Sequence, residues 1–573
     1  MKALILWTTI ILSCSCTQLS PGSSKKDRTV PPQDSNAVKI NQIESFDQND
    51  QTPGSNGISG GGSSGDQNQQ PQKEENSPSD QNENPETPPD EAENEILNLF
   101  SIKPKPASVI IEDDFIPFEL ETEEIRTDLT RVRRDNVNNL EFTRYISLTH
   151  LDYLEKDPEE FIRQKAQIIN SISVILNSLS VNEFITKPVP VNSDFSLFRI
   201  DLRDYNWSQQ QWEQLVSANA ANPQKKAYPY NRPFDPAFVE IANIVQTRSP
   251  VLRGDWMIRE SVKPFVYKNL LQLPDNLSNI ESSVGVNRLD NINRTLDQPA
   301  STPRAVRTLL APGHSGVSIN NRILERHTAL KGSYWMSYDF SISTDVNKDV
   351  FSSPIGPGND VSDQSFDSVD EVESFNPDGG EVIFTLPNGL SGYLLADAAG
   401  DLIDEAPTNI VFNSADRDEA GVIENGRSCF SCHANGIIVA QDEMRPFMSA
   451  ADDELFSDFI REGVLAMHIP QSQMESLIKN DNAIYLNAKK QARFFEGISD
   501  NITQSFDFYD DIMSKDLVAS ELNISLAQFQ RILPRLSLDL RAALQSAEST
   551  GLERNDFENL FPQLLQEIFN LQQ

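Results

Sequence analysis

The chain has 573 residues, enough for two or three domains of ordinary size. Its 85 acidic side chains against 48 basic ones give a net charge of −37, a surface that phosphate backbones repel, so nucleic acid is excluded as an expected partner. Four cysteines, in two tight pairs, are too few and too clustered for a disulfide-stapled scaffold.

The first element, residues 1–13, is Lys2 followed by an apolar run too short to span a bilayer, the pattern of a signal peptide. It ends in Ile11-Leu12-Ser13-Cys14, which resembles the bacterial lipobox: an aliphatic residue three before the cysteine and a small one just before it. That likeness implies lipid attachment at Cys14. Cys16 is the poorer site, because Ser13 stands three before it. Ser15 rather than Asp follows Cys14, which by the same analogy implies the outer membrane, facing the periplasm. After residue 13 no apolar stretch reaches the length of a membrane-spanning helix.

Residues 14–95 read as a disordered, lipid-anchored linker. Between 17 and 95 the segment has 5 basic and 15 acidic residues, is rich in Ser, Gly, Pro, Gln and Asn, and lacks the apolar side chains that offset the entropy of ordering. As a flexible coil it would reach roughly 50 Å.

Residues 96–415 read as an α+β region without a repeat. Asp157-Pro158-Glu159-Glu160 predicts a helix start: Asp157 caps free amides, Pro158 needs no N–H partner in the first turn, and Glu160 completes a capping box. Phe161, Ile162, Ile168, Ile169, Ile172, Leu176 and Leu179 then share a face that packs on a core. Residues 197–202 predict a strand, and Ser208 with Gln211 caps a helix bearing Trp212 and Leu215. Residues 381–386 and 391–395 flank Pro387-Asn388-Gly389-Leu390, a hairpin signal. No catalytic constellation stands out in this region.

The last region, 416–573, is expected to be mainly helical and to carry the chemistry. Cys429-Phe430-Ser431-Cys432-His433 is the c-type haem attachment pattern. Residues three apart share one face of a helical turn, so both thiols can add to the two haem vinyl groups, while His433 presents its imidazole to the iron from the same side. A structural zinc site would need four ligands, and no second cysteine pair exists in this region. A thioredoxin-like motif would follow a strand, whereas Glu424-Asn425-Gly426 is a turn. One covalent haem c is therefore the expected cofactor.

A second axial ligand usually comes from a Met or His further along. Met444 and Met448 lie close to His433 for a loop that must cross the haem plane; Met467 and Met474 have more natural reach. His468 stands beside Met467, and His314 and His327 are upstream candidates. Each of these also reads as an ordinary core residue.

The stretches Phe142–His150, Arg199–Tyr205, Asn320–His327, Tyr334–Phe340, Gly380–Leu395 and Asn425–His433 resemble a group of bacterial cytochrome c domain-containing lipoproteins. The resemblance implies haem binding and electron transfer, with Cys429, Cys432 and His433 as haem residues. It implies no substrate. No methionine near 467 is characteristic of the group, so a His/Met pair does not follow from it. Three functions are compatible with this reading. The first is an electron carrier that docks with a redox partner protein. The second is a haem enzyme or ligand sensor with its pocket in 96–415, and the third an envelope binding module with an accessory haem.

Overall fold

A computed structural model describes residues 117–571, apart from 135–139, 155–156, 221, 223–224, 298–302, 312–316, 319, 342–349, 352–353, 355, 357–376, 413–420 and 452–454. The expected signal peptide, the lipidation site Cys14 with its neighbour Cys16, the linker 14–95 and His314 all lie outside the described residues.

The described chain opens with α1 (Glu119–Arg134) and β1 (Thr143–Ser147). Next come α2 (Pro158–Ser178), β2 (Val189–Pro190), β3 (Leu197–Asp201) and α3 (Gln209–Val216). α4 (Pro236–Val245), β4 (Val251–Arg253), α5 (Gly254–Ser261), α6 (Pro264–Leu270), α7 (Leu277–Ser283) and α8 (Arg288–Asp297) follow. The predicted cap of α2 is present, with Asp157 accepting from the Glu159 and Glu160 amides. A complete reciprocal capping box stands at Ser208 and Gln211, ahead of α3. All seven apolar residues assigned to the core face of α2 are buried.

These strands form a four-stranded sheet in the order β2-β3-β1-β4, with β1 antiparallel to β3 and parallel to β4. Every residue of β1 is buried, because both faces of the sheet are covered. On one face Tyr145, Leu197 and Val251 meet Ile125 and Leu129 of α1 and Phe238, Ile241 and Val245 of α4. On the other, Ile146, Phe198 and Leu252 join α2 in the main core.

The second sheet is a six-stranded antiparallel meander in sequence order. It contains β5 (Ala305–Leu310), β6 (Arg322–Thr328), β7 (Ser333–Tyr338), β8 (Gly379–Thr385), β9 (Ser391–Asp397) and β10 (Leu402–Ile403). β8 and β9 are the predicted hairpin, with Glu381 opposite Leu395 and Ile383 opposite Tyr393. Gly389 has φ +90° in its turn, and that turn packs against Ile484 and Ala488.

From residue 427 the described elements are helical. They are α9 (Arg427–Cys432), α10 (Met444–Ala450), α11 (Asp458–Met467), α12 (Gln471–Ala492), α13 (Ile502–Asp510), α14 (Lys515–Glu521), α15 (Leu526–Ile532), α16 (Leu538–Ser549) and α17 (Arg554–Leu571). The molecule is thus α+β with a helical C-terminal region.

The regions 96–415 and 416–573 share one hydrophobic core, which runs from Ile146 to Phe569. Asn170 on α2 explains how they are joined. It is fully buried, donates to the carbonyls of Phe495 (3.0 Å) and Ile498 (2.9 Å), and accepts from the amides of Phe494 (2.8 Å) and Phe495 (3.1 Å). An amide that uses both its donor and its acceptor in this way fixes the end of α12 against α2.

Candidate functional site

The segment predicted to carry haem lies against one face of the meander. Gly426, with φ +85°, turns the chain into α9, and its Cα packs so closely on the Val262 carbonyl that a Cβ would collide with it. α9 carries Cys429 and Cys432 one turn apart. Both are thiols; Cys429 is buried and Cys432 exposed. Phe430 between them is fixed by edge contacts with Tyr267 of α6 and Tyr393 of β9.

His433 closes α9, its backbone N–H bonding the Cys429 carbonyl. Its ring lies near-parallel to that of Tyr393, with centroids 6.1 Å apart. Nδ1 is 3.2 Å from the Gly436 carbonyl, so the proton there donates to backbone and Nε2 is the nitrogen left to act. The loop supplying that carbonyl is clamped from α12. Asn482 exchanges two hydrogen bonds with the Ile437 backbone, at 2.7 and 2.9 Å, and Lys489 donates to the Ala434 carbonyl at 2.7 Å.

Nε2 faces the Glu381 carboxylate at 3.3 Å. The other oxygen of Glu381 accepts from Arg322 at 3.1 Å, and Arg322 also forks onto Asp339 at 2.5 and 3.1 Å. Burial works to raise the Glu381 carboxyl, but the His433 imidazole and the Arg322 guanidinium outweigh it and bring its pKa down to about 2. Burial likewise disfavours a charged His433, and Glu381 overrides it, holding the imidazole pKa above its ordinary value. The Cys429 thiol is pushed well up, first by burial and then by the Glu381 charge.

The remaining candidates sit elsewhere. Met467 packs with Ile292 and Ala305, and Ala305 belongs to β5, three strands from β8 and so about 14 Å away across the sheet. Met474 is buried on α12 two turns before Asn482, about 12 Å along the helix. Met444 and Met448 are fully buried in the main core. His468 is buried with Nδ1 on Asp442 at 2.9 Å. His327 is buried on β6 with Nε2 on Glu325 at 2.8 Å. The register of the meander puts Glu325 and His327 on the face opposite Glu381. The structure therefore brings Cys429, Cys432 and His433 together, and among the described residues it shows no contact between His433 and any of its sequence-proposed partners. Glu381 is the residue that sequence reasoning missed. Its one signal was a lone carboxylate in an apolar strand sequence, ahead of Val382, Ile383 and Phe384.

Two observations bear on whether these residues fit a haem. The donor set fits: two thiols a helical turn apart and an imidazole oriented through Nδ1. Asn425, two residues before α9, fits too. It is fully buried, yet neither its amide nitrogen nor its oxygen has a partner, a cost of about 1–3 kcal/mol for a lone polar group. The enclosed space beside Glu381 and Arg322 holds about 40 Å³, room for water rather than a macrocycle. Cys432 is exposed, as are Ile438 and Val439 in the loop that follows.

Compared with known proteins, the chain matches no family model, no curated sequence and no solved structure.

Proposed function

We propose that this protein is an exported, lipid-anchored c-type cytochrome with one covalent haem, working in electron transfer with a redox partner protein. The observation that carries the reading is the orientation of His433. Its Nδ1 is committed to the Gly436 carbonyl, which leaves Nε2 as the remaining nitrogen of an imidazole next to Cys432 and one turn from Cys429. When bound, haem iron cycles between two oxidation states and so accepts and returns one electron. Cys429 and Cys432 would each lose a thiol proton to a vinyl carbon as the sulfur bonds its neighbour, a balanced addition that needs no oxidant. His433 would hold the iron through Nε2, and Asn425 offers an unpaired amide beside the attachment helix. Tyr393 and Phe430 set the imidazole and the helix in place.

Co-expression with a cytochrome c maturation system tests the reading. The denatured full-length protein should retain peroxidase-active haem on a gel, and Cys429→Ala with Cys432→Ala should lose it entirely. Haem that leaves the unmutated protein in acid acetone would refute covalent attachment. For the anchor, labelled fatty acid should enter the wild type and Cys16→Ser but not Cys14→Ser.

A further inference from the structure

We propose that the space at the C-terminal ends of β1 and β4 is a binding site for the primary carboxamide group of a small neutral molecule. It stands apart from the haem reading, because it belongs to the four-stranded sheet and the Cys429–His433 segment lies against the other. β1 and β4 run parallel with Ser147 opposite Arg253, and ligands of open sheets sit outside the carboxyl ends of parallel strands. The space there is about 20 Å³. That exceeds the minimum of about 10–15 Å³ for one water and suits the two polar atoms of a flat head group. Phe118 and Thr149 are the half-buried residues of its lining, so the carbon end of a guest leaves past them. Phe118 and Asn523 both line the space with positive φ, +63° and +54°, a backbone state that gathers at ligand clamps.

Arg232 Nη1, His150 Nδ1 and Asn523 Oδ1 belong to lining residues more than nine-tenths buried, and among the described residues they have no hydrogen-bond partner. Each has a fixed sense. The Arg232 guanidinium can only donate; its Nη2 is on Glu121 at 2.6 Å, and its carbon lies 4.4 and 4.6 Å from the ring centres of Phe118 and Phe238. Asp255, forked by Arg253, can only accept, so the His150 proton stands on Nε2, 3.2 Å from it, and Nδ1 is a bare acceptor. Thr149 Oγ1 gives its proton to Glu121 at 2.8 Å and so accepts from Asn523 Nδ2 at 2.6 Å, which leaves Asn523 Oδ1 as a second acceptor. Charge around the space is already balanced, Arg232 by Glu121, Arg253 by Asp255 and Arg554 by Glu521, so an ion finds no uncompensated partner. What is left is one donor and two acceptors. A carboxamide answers all three, its oxygen accepting from Arg232 and its NH2 donating to His150 and Asn523. The isosteric carboxylate has the same shape, carries a charge and donates nothing.

The test uses the full-length protein and a matched set of fluorine-labelled probes read by 19F NMR: 2-fluoroacetamide, its N,N-dimethyl form and fluoroacetate. Fluoroacetamide should bind, and it should move the 15N resonance of His150 Nδ1, identified by its absence from His150→Phe. Fluoroacetate and the dimethylamide, which lack the two N–H donors, should bind at least about tenfold more weakly, because they leave buried acceptors unpaired. Asn523→Gly keeps a residue suited to positive φ and removes one acceptor, so it should weaken fluoroacetamide about fivefold to tenfold, the loss of one hydrogen bond. Equal or tighter binding of fluoroacetate would overturn the proposal, as would unchanged amide binding in Asn523→Gly. A wild type that binds none of the probes overturns it too, since the space then takes water only. The wild-type comparison of amide, dimethylamide and carboxylate decides the matter even where Asn523→Gly fails to fold. Absence of covalent haem is a separate result and leaves this site untouched.

Discussion

Two buried charged clusters in this molecule have similar ingredients and opposite surroundings. One stands at the end of the four-stranded sheet. Arg253 forks onto Asp255 at 3.2 and 2.5 Å and also meets Glu521, which accepts from Arg554 at 2.7 Å. His150 approaches Asp255 at 3.2 Å. The other is the row Asp339–Arg322–Glu381–His433 on the meander. In the first, every group is buried and the charges pair with one another. In the second, the row ends on an imidazole flanked by a thiol exposed to solvent. Charge and burial are common to both; what marks the second as the candidate for covalent chemistry is that the network leads out to a reactive edge.

That contrast is open to attack, and the strongest probe is Asp255→Ala. It removes one of the two carboxylates that pair Arg253, and with it the partner of His150, and should cost about 3–5 kcal/mol in urea unfolding while leaving the His433–Glu381 contact of the folded protein in place. A wild-type unfolding midpoint for this variant would remove the scaffold role of the first cluster. Asn170→Ala should follow, with a loss of about 1–3 kcal/mol from the carbonyls and amides it leaves unmet at the end of α12.

A pH titration separates the clusters by sign. Burial, and then the Arg253 charge, lower the pKa of His150 from its ordinary 6.5. The unfolded chain therefore binds that proton first, so stability falls as pH drops below about 6.5, and His150→Phe should remove this part of the slope. His433 in the haem-free chain runs the other way. Its raised pKa makes its contribution full below the ordinary value and lost as pH rises through the folded one. Two acid-side slopes of the same sign would contradict the comparison. The smallest effect is expected from deleting residues 17–95. The unfolding transition should not move, because so polar a segment adds no core, and a large drop in Tm would instead place it on the body.

Local chemistry made parts of this fold readable in advance. The Asp157-Pro158 start and the long apolar face that follows specify α2 without reference to any other segment, and Pro387-Asn388-Gly389 specifies the turn between β8 and β9. The rest of the meander was opaque for a physical reason. β6 reads Arg-Ile-Leu-Glu-Arg-His-Thr, a composition that suggests a solvent face, yet Arg322, Glu325, Arg326 and His327 are all buried. They are tolerated because Arg307 pairs Glu325 from the neighbouring strand and Asp481 pairs Arg326 from α12, partners that periodicity along one strand cannot reveal. The site divides the same way. Cys429, Cys432 and His433 were legible as candidates because the attachment pattern is contained in five consecutive residues. Glu381 was not, since its link to His433 crosses 52 positions and exists only once the hairpin lies on α9.

The clasp made by Asn170 also sets an order of events in synthesis. Its partners Phe495 and Ile498 lie 325 and 328 positions further on, so α2 waits with an unsatisfied amide until nearly the whole chain has emerged. The Cys429–His433 segment appears before that closure, and its clamps Asn482 and Lys489 come later still than the thiols they will help enclose. On the function proposed above, an exported chain would present Cys429 and Cys432 for haem attachment during an interval that ends when α12 docks. Shortening that interval by strengthening early contacts would compete with cofactor attachment, whereas the long-range clasp keeps the window open by its place in the sequence.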